Sequence, residues 1–579
     1  MTENPHLNPA EMAAQQSISQ MFDCINNRHS FILEAGAGAG KTYSLIRALR
    51  YLIETKEREL LRRHQKIACI TYTNVARDEI EARTDRNPVI LSATIHAFCW
   101  SLIKDFQPEL RSVLPQIGNW SERLTDYNDI SRHTVEYELG YPKISENTIL
   151  LAHDDILPMT VKFMEYPKFR SIFINRYPIL FIDEYQDTDS AFVESLQQQF
   201  LESGDGPLIG FFGDHWQKIY GNGCGKIEHE ALTVIEKRAN FRSVTAVVEC
   251  LNRMRSELIQ EVSDPDEAGS VSIYHTNSYL GTRRNGNHWA GDLPAAEAHR
   301  ALEMIKTRLG EEGWSFTSET SKILMLTHNV LAEEQGYRNL AAIFSRTESY
   351  IKKEDPYIAY FADILEPACS AYEKRQFGEM FAAVGRRTSV IRSHAEKAQW
   401  AEDMNILLNL RETGTIGSVI NHVKTTGRPR LSVKVESKER ELEAALASAT
   451  EEISDPFERL QRLKNVSYKE VSALTNFIEE KTPFATNHGV KGAEFENVLV
   501  VIGRGWNQYN FGQMLEWATN GIPSGRQESF VRNRNLFYVA CSRPKKRLAI
   551  LFTQQLSDYA LSTLANWFGE RAIHNLNLQ

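Results

Sequence analysis

The stretch Ala35-Gly36-Ala37-Gly38-Ala39-Gly40-Lys41-Thr42 constrains this chain more than any other. Its run of small residues lets the backbone fold back tightly, so that successive N–H groups converge on one point and can hold a polyphosphate. Phe31 to Glu34, before it, is a short apolar run, and Thr42 to Ile53, after it, has apolar residues at helical spacing. Strand, glycine turn and helix are therefore predicted in that order. Lys41 would reach the β- and γ-phosphates of such a ligand, and the Thr42 hydroxyl would reach Mg2+.

The same signature repeats along the chain. Ile67 to Tyr72, Pro178 to Ile182 and Leu208 to Phe212 read as further buried strands, with a helix from Asn74 to Glu81 after the first of them. Short apolar strands alternating with helices predict a parallel, doubly wound sheet, which places ligands at the carboxyl ends of its strands. A second set, Val271 to Tyr274, Lys322 to Leu326, Val498 to Ile502 and Leu548 to Phe552, predicts a second sheet of related build. Mostly helical stretches, from about Trp100 to Phe173 and from about Leu331 to Glu470, interrupt the two sets and read as insertions. The fold class is α/β, and at 579 residues the chain needs more than one core.

Adjacent carboxylates close one of these strands, in Ile179-Leu180-Phe181-Ile182-Asp183-Glu184. Carboxylates there are costly to hold unless they meet a cation or do chemistry. Asp183 is suited to holding Mg2+ through water, and Glu184 to orienting an attacking water.

Composition narrows the classes that remain. Hydrophobic residues at 42% and charged residues at 24% exclude a collagenous or disordered chain. No apolar run approaches the ~20 residues needed to cross a bilayer, so the expectation is a cytoplasmic protein with no membrane attachment. The seven cysteines lack any C-x-x-C spacing and indicate neither a zinc site nor a disulfide framework. A net charge of −9 argues against a protein that coats nucleic acid all over, yet it leaves room for a local basic channel. Arg532, Arg534, Arg543, Lys545, Lys546 and Arg547 concentrate positive charge near the C-terminus.

Taken in order, eight segments resemble the motifs of the UvrD/Rep group of superfamily 1 DNA helicases. The glycine turn led by Ala35 is that group's usual form. After it come Ile70-Thr71-Tyr72-Thr73-Asn74-Val75-Ala76, Thr94-Ile95-His96-Ala97-Phe98 and Asp183-Glu184-Tyr185-Gln186-Asp187-Thr188. Gly213-Asp214-His215-Trp216-Gln217-Lys218-Ile219-Tyr220 and Asn240-Phe241-Arg242-Ser243 follow. The last two are Thr486-Asn487-His488-Gly489-Val490-Lys491-Gly492-Ala493-Glu494-Phe495 and Tyr538-Val539-Ala540-Cys541-Ser542-Arg543.

This resemblance implies two RecA-like parallel-sheet domains of the P-loop NTPase class, each with a mainly helical accessory insertion. Residues 1–99 and 174–240 would form the first, with 100–173 inserted; 241–330 and 471–579 would form the second, with 331–470 inserted. It implies hydrolysis of ATP with Mg2+ in the cleft between them, coupled to 3′-to-5′ movement on single-stranded or tailed duplex DNA.

The site residues follow from the same likeness. Ala35, Gly36, Ala37, Gly38, Ala39, Gly40, Lys41, Thr42 and Tyr43 would hold the nucleotide, with Mg2+ on Thr42 and Asp183. Glu184 would act on the attacking water and Gln217 would sense the γ-phosphate, while Arg242 and Arg543 would stabilise charge on the transferred phosphoryl group. Phe241 would stack on adenine, Glu494 would contact the sugar, and Gln16, with Gln15 and Gln20 nearby, would read the adenine edge. Tyr72, Thr73, Asn74, His96, Tyr220, Thr486, His488 and Lys491 would line a DNA groove in which aromatic faces accept any base.

Some positions depart from the family pattern. Asn222 stands where a base-stacking Trp is common, Trp216 precedes the glutamine, Phe241 replaces Tyr and Lys218 replaces Ser. The second insertion is small for the group. A second reading therefore stands beside the first: a DNA- or nucleotide-sensing ATPase that works with a nuclease or repair protein, as compact members do in antiphage defence systems of the Gabija type.

Overall fold

Three strands, β1 (Phe31–Ala35), β2 (Ile67–Thr71) and β3 (Ile90–Thr94), are followed by the short β4 (Thr134–Tyr137), β5 (Lys143–Ile144) and β6 (Thr148–Leu151). Next come β7 (Ile179–Asp183), β8 (Leu208–Gly213) and β9 (Thr233–Lys237). The computed structural model describes residues 7–578 apart from 128, 139–141, 220, 287–288, 326–327, 386–390, 448–454, 487–490 and 504–508. By contacts the chain divides into two compact units. One comprises Met1–Ser272, Phe511–Leu548 and Ser557–Ile573; the other comprises Ile273–Asn510, Ala549–Leu556 and His574–Gln579.

In the first unit the large sheet has the order β3-β2-β7-β8-β1-β9, with every pair parallel. Parallel neighbours need crossover connections, and helices supply them on both faces. Residues therefore alternate between two buried layers instead of between core and solvent. Phe31, Leu33, Ile67, Cys69, Phe181 and Phe212 pack with Met21 of α1 (Pro9–Asn26) and Leu45 and Leu49 of α2 (Lys41–Arg62). Ile32, Ala68, Ile70, Leu180, Ile182 and Ile209 pack the other way, against Phe98 of the helix Ile95–Ile103 and against the first insertion.

That insertion is not wholly helical. Strands β4, β5 and β6 form a three-stranded sheet inside it, because Val135, Ile149 and Leu151 bury alternate positions of short segments. Its core residues Leu110, Trp120, Ile149 and Phe163 belong to the same cluster as the sheet residues, so insertion and sheet share one interior.

A short parallel pair, β10 (Ala239–Asn240) and β11 (Glu261–Val262), follows β9. The second six-stranded sheet comprises β12 (Ser270–His275), β13 (Ser321–Met325), β14 (Phe484–Thr486), β15 (Phe495–Ile502), β16 (Pro544–Phe552) and β17 (Ile573–Asn575). Its order is β14-β13-β15-β16-β12-β17, with β13 parallel to both β14 and β15. Within the second unit, Ile323, Met325, Leu499, Val501 and Leu551 form a core with Leu302 and Ile305.

The helical insertion of the second unit has a core of its own. Tyr337, Phe361, Trp400, Met404, Val419, Tyr468 and Leu474 all lie in one cluster confined to residues 332–474. A buried ion pair, Arg411 Nη2 to Glu366 Oε2 at 2.7 Å, sits inside it. All seven cysteines are free, and among the described residues no helix is long and apolar enough to cross a membrane.

Candidate functional site

The glycine turn links β1 to α2 at the carboxyl edge of the parallel sheet, where such folds bind ligands. Gly38 and Gly40 adopt φ of +75° and +72°, a left-handed conformation that only glycine takes at little cost. The turn is gripped from outside by Asn240 and Phe241 of a motif segment and by Gln260, which carries no motif signal of its own. Asn240 Nδ2 donates to the Ala37 carbonyl at 3.0 Å, and Gln260 Nε2 donates to the same oxygen at 3.1 Å. The Phe241 N–H donates to the Gly38 carbonyl at 2.9 Å. A Cβ on Gly36 would lie 2.7 Å from Gln260 Nε2, so that side chain would have to shift, and one on Gly38 would lie 2.6 Å from Asn240 Oδ1 and 2.8 Å from Arg242 Cβ, so Gly38 is also required sterically.

Lys237, likewise silent in the sequence, is buried beside this turn. Its ammonium donates to the Gly40 carbonyl at 3.0 Å and to Ser44 Oγ at 2.7 Å. Burial, reinforced by the neighbouring charge of Lys41, lowers its pKa to about 8. Tyr43, half exposed, lies over that ammonium at 5.7 Å.

The acids stand next to Lys41. Its Nζ is 3.8 Å from Glu184 Oε1. Glu184 itself has φ +50°, a strained conformation for a residue with a side chain, and Gln186 Nε2 holds its other oxygen at 2.5 Å. Asp183 is buried, and its Oδ1 has no hydrogen-bond partner. Burial, with the Glu184 charge added, raises its carboxyl to about 7 against the pull of Lys41. A buried carboxylate oxygen without a partner fits a divalent cation, which would supply the missing charge. Thr42 stands in the first turn of α2, after Lys41.

Gln217 is buried at the end of a polar chain. Its Nε2 donates to Asp214 Oδ2 at 2.7 Å, and its Oε1 accepts from Arg543 Nη2 at 3.4 Å. Asp214 also pairs with Arg255 at 2.6 Å, and Arg255 reaches Glu34 at 3.5 Å. Burial alone would raise the Asp214 carboxyl; Arg255 and Lys41 outweigh it and hold the group below its usual range. Glu34, Asp214 and His215 lie close enough to suggest a cation site, but the Arg255 guanidinium already supplies positive charge to both acids.

Arg543 is 1% exposed, its Nε bonded to the Val539 carbonyl at 2.9 Å. Burial, then repulsion from Arg242, lowers its pKa to about 9, while Glu184 acts in the opposite sense. Arg242 Nη1 donates to the Ser542 carbonyl at 3.1 Å, and Ser243 Oγ donates to the Pro544 carbonyl at 2.7 Å. These bonds bring Arg242 beside the Tyr538 to Arg543 segment. Lys41, Glu184, Gln217, Arg242 and Arg543 thus all belong to one unit, with Lys41 paired to Glu184, Arg543 bonded to Gln217 and Arg242 bonded to the residue before Arg543.

The remaining candidates are more scattered. Phe241 is 44% exposed. Gln16 lines a cavity of about 780 Å³ with Gln20, Val234, Glu236 and Arg238. Tyr72, Thr73 and Asn74 are exposed, and Thr73 Oγ1 caps the helix Asn74–Arg83. His96 is stacked on His153. Thr486, Lys491 and Glu494 belong to the second unit, where Thr486 is buried at the end of β14 and Glu494 is exposed. Tyr220 and His488 lie outside the described residues. Trp216, the ring that precedes the glutamine, is 5% exposed and lies under the Arg534 guanidinium at 3.6 Å.

The profile of the UvrD-like helicase C-terminal domain matches residues 175–555, and that of an AAA domain matches residues 19–222. The chain is 27% identical to the Gabija protein GajB of Bacillus cereus, over 96% of this chain and 97% of the relative. It is 24% identical to the ATP-dependent DNA helicase PcrA of Staphylococcus aureus over 38% of this chain and 37% of that one.

Proposed function

We propose that this chain, which belongs to the UvrD-like helicase family, is a motor that couples hydrolysis of Mg-ATP to 3′-to-5′ movement along single-stranded DNA. Membership makes it an ATP-dependent helicase-type hydrolase; the coupling and direction are our reading. One observation supports it: Arg543 is bonded to Gln217, Arg242 to the carbonyl beside Arg543, and Lys41 is paired with Glu184, all in the unit that holds the glycine turn.

In this reading the turn's N–H groups and Lys41 bind the β- and γ-phosphates. Mg2+ held by Thr42 and Asp183 would offset phosphate charge when bound. Glu184, freed from Lys41, orients the attacking water. Arg543 and Arg242 stabilise charge that develops on the transferred phosphoryl group, and Gln217, already bonded to Arg543, links the γ-phosphate to that arginine. Phe241 and Tyr43 offer aromatic faces to adenine. Tyr72, Thr73, Asn74 and His96 are the DNA contacts of the first unit, and Thr486 and Lys491 are those of the second.

The test is ATP hydrolysis with and without single-stranded DNA, together with unwinding of duplexes carrying either tail. Lys41→Ala is expected to abolish hydrolysis, and Arg543→Lys to lower kcat on the order of 10³-fold, because an ammonium cannot reproduce the planar fork. Hydrolysis by Lys41→Ala at the wild-type rate refutes the assignment.

The near full-length match to a Gabija protein favours a second reading: an ATPase subunit that senses DNA or nucleotide and works with a nuclease in antiphage defence. Hydrolysis stimulated by DNA with no unwinding by the chain alone would select it. Either reading suits a cytoplasmic protein.

A further inference from the structure

β9 pairs with β1 in register Ala35 to Lys237, so Lys237 leaves the sheet where β1 gives way to the glycine turn. Its side chain is 0% exposed. The flanking Glu236 and Arg238 alternate to the other face of the strand and pair with each other at 2.6 Å. Of the three, Lys237 alone points inward, toward the first turn of α2.

A buried ammonium is costly unless an acid neutralises it. Lys237 lacks one: among the described residues its neighbours are the Gly40 carbonyl, Ser44 Oγ, the Tyr43 ring and the Lys41 ammonium, whose charge repels it. The positive end of α2 adds to that repulsion. Nor does the turn depend on the ammonium for its own hydrogen bonds, because the Gly40 carbonyl also accepts from the Ser44 N–H at 3.2 Å. With its pKa at about 8, Lys237 is still cationic at neutral pH. Two lysines thus border one turn, and among the described residues the acid within ion-pair distance of either is Glu184, 3.8 Å from Lys41.

We propose that Lys237 is a positioning residue of the nucleotide site: a second cation set against the glycine turn without a counter-charge, which the polyphosphate supplies when it binds. Its charge is a cost to the empty protein and a gain to the complex, so it favours the ligand that carries the most phosphate charge. ATP is thereby preferred to ADP before any contact with the transferred phosphoryl group is made. The inference rests on the reading above in which the turn and Lys41 hold the β- and γ-phosphates.

The test is binding of ATP and ADP by the full chain, read by competition against a fluorescent ATP analogue, alongside steady-state hydrolysis and melting of the nucleotide-free protein. Lys237→Met is expected to weaken ATP binding on the order of 10-fold and ADP binding less, raising KM while kcat stays within about 3-fold of wild type. Lys237→Gln, which keeps a donor for Gly40 and Ser44 but loses the charge, should behave in the same way. Neither variant should melt below wild type, because each removes an uncompensated buried charge. Wild-type ATP affinity in Lys237→Met overturns the inference. Recovery in Lys237→Gln also overturns it, since the donor and not the charge would then be the active feature. So does lower melting of both variants, which would make the ammonium a strut for the turn. If the wild-type chain binds no ATP, or binds it equally well after Lys41→Ala, the nucleotide reading itself falls.

Discussion

Asp183 is the residue whose surroundings most contradict its chemistry: a carboxylate in a buried site with one oxygen unpartnered. Its raised pKa gives a sign to the pH dependence. Between about pH 4 and pH 7 the folded chain holds a proton that the unfolded chain releases, so stability falls as pH rises through that window. Asp183→Asn should remove this slope and stabilise the nucleotide-free protein at pH 8 by on the order of 1–3 kcal/mol. The same change should abolish Mg2+-dependent hydrolysis. Thermal melts at pH 5 and pH 8 check the first part, and a lower melting temperature for the variant at pH 8 would count against the account. Gln260 makes a different kind of claim. Gln260→Ala deprives the Ala37 and Ala239 carbonyls of a donor, a loss of about 1–3 kcal/mol that loosens the glycine turn. The expected readout is a raised KM for ATP with a smaller change in kcat.

At the scale of elements, what the sequence discloses follows burial. β1, β2, β7 and β8 are buried on both faces, so they stand out in the sequence as unbroken apolar runs. β9 is an edge strand whose burial alternates, and β3 is only partly buried, so neither differs visibly from its surroundings. The small sheet of the first insertion is hidden for the same reason, with four or fewer residues per strand. The site divides in a similar way. Lys41, Asp183 and Glu184 announce themselves through local pattern, and Gln217, Arg242 and Arg543 through family motifs. Lys237, Arg255 and Gln260 act only through contacts made across the folded chain, which no local pattern encodes. Trp216 illustrates the limit: its aromatic character is visible in the sequence, but the stacked Arg534 that occupies it is not.

Across the whole molecule the two insertions differ in how they are held. Trp120 of the first lies in the interior shared with the large sheet, whereas Trp400 of the second lies in a cluster confined to its own helices. Either substitution to alanine should cost about 3–5 kcal/mol locally. Trp120→Ala is expected to weaken ATP binding and to lower the melting of the unit that carries the glycine turn. Trp400→Ala should leave ATP affinity near wild type and shift only a separate transition in calorimetry. Coincident loss in both variants would show that the second cluster is not independent. If it is independent, that portion behaves as a replaceable cartridge: a lineage, or an engineer, can rebuild, enlarge or exchange it without retuning the chemistry of the engine.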